Sequence, residues 1–187
     1  MFMVLDIFQK RKKDILSKLD KSSKHSWDKK IISLCEKINK NKDYYTTSSC
    51  SGRVVLNKDL DKKEPGVFLW VSHEQIKLEK LKEVLVGLHG NVIFKQEPVI
   101  LHVACKTLKN AQEIVDKAKL VGFKRSGIIA SKSRFVCELL STEKLELPVI
   151  ENNKLLVSDS FLKIIIKKSN ENIKKGWVKI EKLKKQF

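Results

Sequence analysis

The chain has 187 residues, 42% of them hydrophobic and 33% charged, which excludes a disordered polyelectrolyte, a collagen-like repeat and a disulfide-stapled miniprotein. Its formal charge of +17 attracts polyanions over a long range, so nucleic acid is the first partner to consider. The surplus lies at the ends: residues 1–42 carry 12 basic and 5 acidic side chains, and residues 151–187 carry 10 and 4. We predict one domain over residues 1–187, with basic helical ends around a nearly balanced core at 43–150.

At the N-terminal end, isoleucine, leucine and cysteine recur at three- and four-residue spacing. This spacing predicts amphipathic helices over 6–20 and 26–40, and Ser26 is a candidate cap for the second. Runs of β-branched and aromatic residues then predict strands at 44–47 and 53–57, which flank a small-residue loop at 48–52.

Alternating strand and helix patterns continue through the middle of the chain. We predict a charged loop at 57–66, a strand at 67–72, a helix at 74–86 closed by two glycines, and strands at 92–96 and 99–105. Pro98 separates the last two strands, because a residue without an N–H group suits a bend better than the middle of a sheet.

From Thr107 a helix is expected to run to Val121, with Gly122 just beyond its end. A hairpin at 126–131 and 134–140, an edge strand at 145–150, a helix at 160–169 and a separate basic terminal helix complete the pattern. This order predicts an α+β fold, a mixed β-sheet in a layered α/β sandwich with basic helices at both ends.

The four cysteines lie far apart, and neither a CxxC pair nor a secretory leader accompanies them. We therefore expect reduced thiols and a cytoplasmic protein. No apolar run approaches the roughly 20 residues that a membrane-spanning helix needs, so no membrane anchor is expected.

Only four of the 39 basic residues are arginines, and Arg53 follows a run of small hydroxyl residues and a glycine, from Thr46 to Gly52. Accessible backbone N–H groups, hydroxyl donors and a planar guanidinium favour binding of phosphate or carboxylate. The candidate anion-binding residues are Ser49, Cys50, Ser51, Gly52 and Arg53. Nothing in the sequence identifies a base for Cys50, so hydrolase chemistry there is a weak alternative.

A histidine within a buried strand is usually a core residue with its hydrogen bonds satisfied, and otherwise a base or a ligand. Alternation places His102 on the same face of its strand as Ile100 and Ala104, where its ring needs a hydrogen-bond partner. His73 ends a strand, and Glu97 lies at a strand break before Pro98, where a carboxylate can face a cleft or belong to an ordinary exposed turn. Zinc bound by His102 and Cys105 is not expected, because residues three apart on a strand point to opposite faces.

A second segment, at 122–128, joins a helix end to a strand through glycine, basic residues and serine. Arg125, Ser126 and Gly127 are therefore candidates for a second anion contact.

Four stretches taken in order resemble the tRNA wybutosine-synthesising protein 3 family. They are residues 43–53 (DYYTTSSCSGR), Trp70 with His73, residues 94–103 (FKQEPVILHV) and residues 122–128 (GFKRSGI). Gln96 and Val99 stand where that family commonly has aromatic residues, a difference that we expect to affect packing more than chemistry.

The resemblance implies a methyltransferase that uses S-adenosylmethionine to methylate N4 of the tricyclic demethylwyosine-type base 3′ to the anticodon of tRNA-Phe. It also implies an α/β fold distinct from the Rossmann type, and the chain has no GxGxxG fingerprint. On this basis residues 49–53 would hold the cofactor carboxylate or a substrate phosphate, and residues 125–127 would hold a phosphate or the amino-acid side chain of the substrate. Trp70 would stack on the tricyclic base, and a packing role in the core is at least as good a reading.

In this reading His102 is the first candidate for the proton acceptor, ahead of Glu97 and His73. The basic ends would contact the backbone of the tRNA anticodon stem-loop, no metal is required, and a monomer is favoured. A non-catalytic RNA-binding module that uses the same basic surface is the alternative.

Overall fold

A computed structural model describes residues 7–18, 27–60 and 65–187. These residues form helices α1 (Ile7–Leu16), α2 (Ile32–Lys40), α3 (Leu78–Val86), α4 (Leu108–Leu120) and α5 (Asp159–Lys184). The strands are β1 (Tyr44–Cys50), β2 (Arg53–Lys58), β3 (Phe68–Ser72), β4 (Val92–Glu97), β5 (Ile100–Cys105), β6 (Gly127–Ala130), β7 (Phe135–Leu140), β8 (Leu145–Glu151) and β9 (Lys154–Leu155). The predicted α+β class is confirmed.

The chain folds into two compact units, each built from several segments. The first unit comprises Met1–Ser51, Val99–Thr142 and Trp177–Phe187, and the second comprises Gly52–Pro98 and Glu143–Gly176. The boundary between Ser51 and Gly52 falls inside the stretch predicted to bind an anion.

The first unit contains a four-stranded sheet in the order β1-β5-β7-β6. Apolar residues of α2, α4 and the last turns of α5 pack on one face of this sheet, against alternate residues of β5 such as Leu101 and Val103. Because side chains alternate along a strand, the intervening residue, His102, lies on the opposite face. We call this the outer face of the first sheet.

The second unit contains a five-stranded sheet in the order β3-β2-β4-β8-β9. Its buried apolar side chains include Val54, Leu56, Phe94, Leu81 of α3 and Leu162 of α5. Asn172 of α5 donates to the Gln96 side chain at 2.8 Å, which places the face of Gln96 and Phe94 towards that helix. Arg53 and Glu97 alternate with these residues and lie on the other face.

The structure revises the predicted sheet, because every described strand pair is antiparallel and the strands form two sheets instead of one mixed sheet. Pro98 marks the change from one sheet to the other: β4 before it belongs to the second sheet and β5 after it to the first. A residue that cannot donate a backbone hydrogen bond suits this transition.

Three predicted elements need correction. Residues 48–50 were predicted to be a loop, but they extend β1 and pair with β5. The predicted separate helices after residue 159 form one helix of 26 residues. The predicted edge strand at 145–150 lies between β4 and the short β9, although β9 pairs only with its last two residues.

Other predictions agree closely with the structure. Thr107 caps α4 by accepting a hydrogen bond from the backbone N–H of Asn110, and Gly122 follows the helix with a φ of 107°. The predicted hairpin is β6 with β7. The proposed cap Ser26 lies outside the described residues.

Among the described residues, no helix is both long enough and apolar enough to cross a membrane.

Candidate functional site

Three polar side chains form a row across the outer face of the first sheet. Ser48 on β1 is directly opposite His102 on β5, which is directly opposite Glu138 on β7. The Ser48 hydroxyl lies 3.0 Å from His102 Nδ1, and His102 Nε2 lies 3.0 Å from Glu138 Oε2. The hydrogen bond expected for a histidine in this strand is therefore present on both ring nitrogens.

The strand pattern explains how this row forms. A register irregularity between Thr46 and Ser48 turns the Ser48 side chain to the same face as His102, although Thr46 lies opposite Val103 of the core face. The next residue in the row beyond Glu138 is Gly127 on β6. Among the described residues, apart from Gly127 and its two chain neighbours, no atom lies within 4 Å of the position that a Cβ there would take. The row thus ends beside open space.

Accessibility differs along the row. Ser48 is exposed, whereas the side chains of His102 and Glu138 are each only 30% exposed. A ligand approaching this face therefore has freest access at the serine hydroxyl.

In the second unit the structure pairs two predicted site residues with each other. Arg53 Nε donates to Glu97 Oε2 at 2.6 Å, and the Arg53 guanidinium lies 4.8 Å from the ring centre of Phe68. The side chains of Arg53 and Glu97 are 27% and 32% exposed, so solvent and ligands reach both. The Glu97 carboxylate is held by the Arg53 guanidinium, which favours a binding role for Glu97.

The same face of the second sheet carries a further charge cluster. Glu146 on β8 is 2.6 Å from Lys95 and 2.6 Å from Lys144. Hydrogen bonds from Lys144 and Lys95 lower the pKa of the Glu146 carboxyl below its usual value.

The predicted anion-binding stretch is mostly not an open loop. Ser49 and Cys50 belong to β1, and the Ser49 hydroxyl oxygen is buried without a hydrogen-bond partner among the described residues. The backbone N–H and the hydroxyl of Ser51 both donate to Asp28, at 2.8 and 3.1 Å. These donors of the predicted nest therefore already bind a carboxylate, that of Asp28. Gly52 has the expected positive φ, 88°.

The second predicted anion segment separates into different roles. Ser126 is buried, and its hydroxyl donates to the Phe123 carbonyl at 2.7 Å and accepts from the Leu140 N–H at 3.1 Å. This hydroxyl stabilises the turn between α4 and β6, so it does not support the predicted substrate contact. Arg125 is exposed, and Gly127 ends the row described above.

Trp70 lies on β3, an edge strand of the second sheet, and His73 follows that strand. Trp70 is half-buried opposite Leu56, on the face that carries the buried Phe94, which favours the packing interpretation that the sequence left open. His73 follows the last residue of β3 and is half-buried.

Sequence reasoning missed Ser48, Glu138 and Asp28 as partners of candidate residues. Each lies far from its partner along the chain: 54 residues separate Ser48 from His102, and 36 separate His102 from Glu138. Only the strand order β1-β5-β7 could have identified Ser48 and Glu138, and Asp28 is brought to Ser51 from 23 residues earlier in the chain. A cavity of about 280 Å³ in the second unit, between α3, β8 and the start of α5, is lined by none of the predicted site residues.

Comparison with known proteins adds a family to this geometry. Residues 10–187 match the family described as Methyltransferase TYW3. The chain belongs to this family. Members of the Methyltransferase TYW3 family are tRNA methyltransferases, so the chain is an enzyme that acts in tRNA modification.

Named relatives cover nearly the whole chain. A protein of Thermococcus sibiricus named tRNA(Phe) 7-((3-amino-3-carboxypropyl)-4-demethylwyosine(37)-N(4))-methyltransferase is 35% identical over 100% of this chain and 98% of its own. A protein of Archaeoglobus fulgidus with the same name is 34% identical over 94% and 90%. A solved structure, the PH1069 protein of Pyrococcus horikoshii, is 30% identical, with a TM-score of 0.86 over 96% of this chain and 95% of that one.

Proposed function

We propose that this chain transfers a methyl group from S-adenosylmethionine to N4 of the 7-(3-amino-3-carboxypropyl)-4-demethylwyosine base of tRNA-Phe. Membership of the Methyltransferase TYW3 family and the names of the relatives support this assignment. One structural observation links this activity to particular residues. Two pairs of polar side chains, Arg53 with Glu97 and Ser48 with His102, lie on the segments that carry the family resemblance.

Arg53 and Glu97 fit an α-amino acid group. A guanidinium binds a carboxylate through two parallel hydrogen bonds, and a carboxylate binds an ammonium group. Arg53 and Glu97 are partly exposed and 2.6 Å apart, so they present both charges together. The methionyl end of the cofactor and the aminocarboxypropyl group of the base both carry this pair of charges. Arg53 and Glu97 would hold one of them.

His102 is the proposed proton acceptor. When bound, S-adenosylmethionine supplies an electrophilic methyl group, and N4 must lose its proton as it is methylated. The imidazole of His102 is accessible and has its second nitrogen held by Glu138, an arrangement that suits a general base. His73 remains an alternative acceptor on sequence grounds alone.

The tRNA contacts belong to the lysine-rich ends. Exposed lysines on α5, among them Lys167, Lys168, Lys174 and Lys175, would bind phosphates of the anticodon stem-loop without reading its sequence. Arg125 is a further candidate for a phosphate contact. We propose a cytoplasmic monomer. The four cysteines form no disulfide in the described structure, in keeping with a reducing compartment.

Calorimetry with S-adenosylmethionine tests this function against a non-catalytic RNA-binding module. An enzyme of this kind should bind S-adenosylmethionine in the absence of tRNA. If Arg53 holds the methionyl group, Arg53→Ala should weaken binding of the cofactor. If Arg53 holds the aminocarboxypropyl group, the variant should weaken binding of the tRNA base instead. Phe68→Leu, which removes only the ring beside the guanidinium, is the matched control. A chain that binds tRNA but neither binds nor uses the cofactor is an RNA-binding module instead.

A further inference from the structure

We infer that Ser48, His102 and Glu138 form a proton relay whose exposed end is the Ser48 hydroxyl, with Glu138 as a positioning residue for the imidazole. The inference rests on the proposed function and assigns roles to two residues, Ser48 and Glu138, that are not among the site residues predicted from the sequence. It is carried by the row of two 3.0 Å hydrogen bonds across three neighbouring strands.

The chemistry of Glu138 sets the direction of the hydrogen bonds. An ionised carboxylate only accepts, so His102 Nε2 must donate its hydrogen to Glu138 Oε2. In a neutral imidazole the other nitrogen, Nδ1, then carries the lone pair. Ser48 has a hydroxyl that donates, and it lies 3.0 Å from Nδ1. The neutral site therefore has one self-consistent arrangement, Ser48 to His102 to Glu138.

This arrangement transfers one proton in total from the substrate to His102, and the Ser48 hydroxyl is regenerated. The acceptor nitrogen of the substrate gives its proton to Ser48 Oγ while the Ser48 hydroxyl gives its own proton to His102 Nδ1. The nitrogen keeps the electron pair of the broken N–H bond and uses it to form its bond to the methyl group. The electron pair of the cofactor's S–CH3 bond would stay on sulfur, so that the cofactor would leave as S-adenosylhomocysteine. The imidazole becomes a cation beside Glu138, whose negative charge stabilises it, and later releases its proton to water.

The exposure of each side chain favours Ser48 as the end that meets the substrate. Ser48 is exposed, whereas the side chains of His102 and Glu138 are each only 30% exposed. The neighbouring hydroxyl of Thr47 donates to the His102 backbone carbonyl at 3.4 Å instead of to the ring, so it offers an internal control.

The first test is the tautomer of His102, which needs no activity. In ¹⁵N-labelled protein the four histidines are assigned by deleting one signal at a time, with His102→Asn identifying the relevant ring. At alkaline pH we expect a hydrogen on Nε2 and none on Nδ1. Glu138→Gln should keep this tautomer, because its amide oxygen still accepts, whereas Glu138→Ala should give a mixture. A hydrogen on Nδ1 in the unaltered protein overturns the relay.

The second test is turnover. Ser48→Ala should lower kcat by about 10²-fold, the lower range for a lost general acid–base step, and leave the KM for tRNA unchanged. Ser48→Thr, which keeps a hydroxyl, should restore most of kcat, and Thr47→Ala should leave it unchanged. An unaltered protein that fails to methylate contradicts the proposed function. An active protein whose Ser48→Ala variant keeps its full kcat contradicts the relay alone.

Discussion

The Ser126 hydroxyl has a partner on both sides, the Phe123 carbonyl and the Leu140 N–H. Ser126→Ala leaves that N–H without this acceptor in a buried turn, so we expect a loss of about 1–3 kcal/mol in the free energy of unfolding. Urea denaturation measures it, with the exposed Ser131→Ala as control. Unchanged stability together with a large loss of kcat would return Ser126 to the substrate site.

Glu146 makes stability depend on pH. Lys144 and Lys95 lower its pKa in the folded protein below the ordinary value of 4.5. Its stabilising effect is therefore fully present above about 4.5 and is lost as the pH falls through the lower folded value. Glu146→Gln should reduce the free energy of unfolding at neutral pH and make no difference in strong acid. Glu151→Gln, exposed at the end of the same strand, is the control, and equal effects of both variants would contradict this cause.

The candidate site residues also show which structural features the sequence alone can predict. Alternation along β5 correctly predicts the face on which His102 lies, because that depends only on local geometry. Its partners depend on the order β1-β5-β7, which local patterns do not encode. For the same reason Ser51 looked like a free donor, although Asp28, 23 residues earlier, accepts both of its hydrogen bonds.

Helix α5 shows the same limit at the scale of an element. The sequence predicts a helix at 160–169 and a separate terminal helix, yet α5 is continuous, and Asn170 and Asn172 within it use their amides to bind other segments. Asn170 donates to the Ile76 carbonyl and accepts from the Ile76 N–H, both at 2.9 Å, and Asn172 donates to Gln96. A polar residue that makes such contacts looks the same in the sequence as one in a loop.

The Gln96–Asn172 pair allows a double-mutant test of this interpretation. Asn172→Leu leaves the buried Gln96 oxygen without its partner and should lower the free energy of unfolding by about 1–3 kcal/mol. Adding Gln96→Leu should recover part of that loss, since removing both partners is far less costly than removing one. Additive losses, measured by urea denaturation, would contradict the pairing.

Gly122 ends α4 with a φ of 107°, a conformation that other residues rarely adopt. A Cβ there would also lie 2.8 Å from the Lys179 side chain. Gly122→Ala should therefore lower the free energy of unfolding by roughly 1–3 kcal/mol in thermal or urea unfolding. Gly87→Ala is the matched control, because Gly87 follows α3 with a φ of −88° and an ordinary contact of 3.9 Å. Equal losses in the two variants would contradict the explanation.

At the scale of the whole molecule, the charge of +17 divides into lysine-rich ends and a nearly balanced middle. Replacing Lys167, Lys168, Lys174 and Lys175 of α5 by glutamine should weaken tRNA binding. It should also reduce the log–log salt slope by roughly 0.9 for each lost duplex phosphate contact. The charge-matched control replaces four exposed lysines of the middle, Lys77, Lys80, Lys109 and Lys132. Equal slopes for the two variants would place the tRNA interface elsewhere.

The central claim is methyl transfer to N4 of the tricyclic base. Its most direct test is incubation of the purified chain with labelled S-adenosylmethionine and tRNA-Phe that carries the verified demethylated base, followed by mass spectrometry of the isolated nucleoside. We predict a single added methyl group at N4, no incorporation into tRNA-Phe that lacks the tricyclic base, and strongly reduced incorporation by His102→Ala. No incorporation into the verified substrate, or a methyl group at another position, would contradict the account.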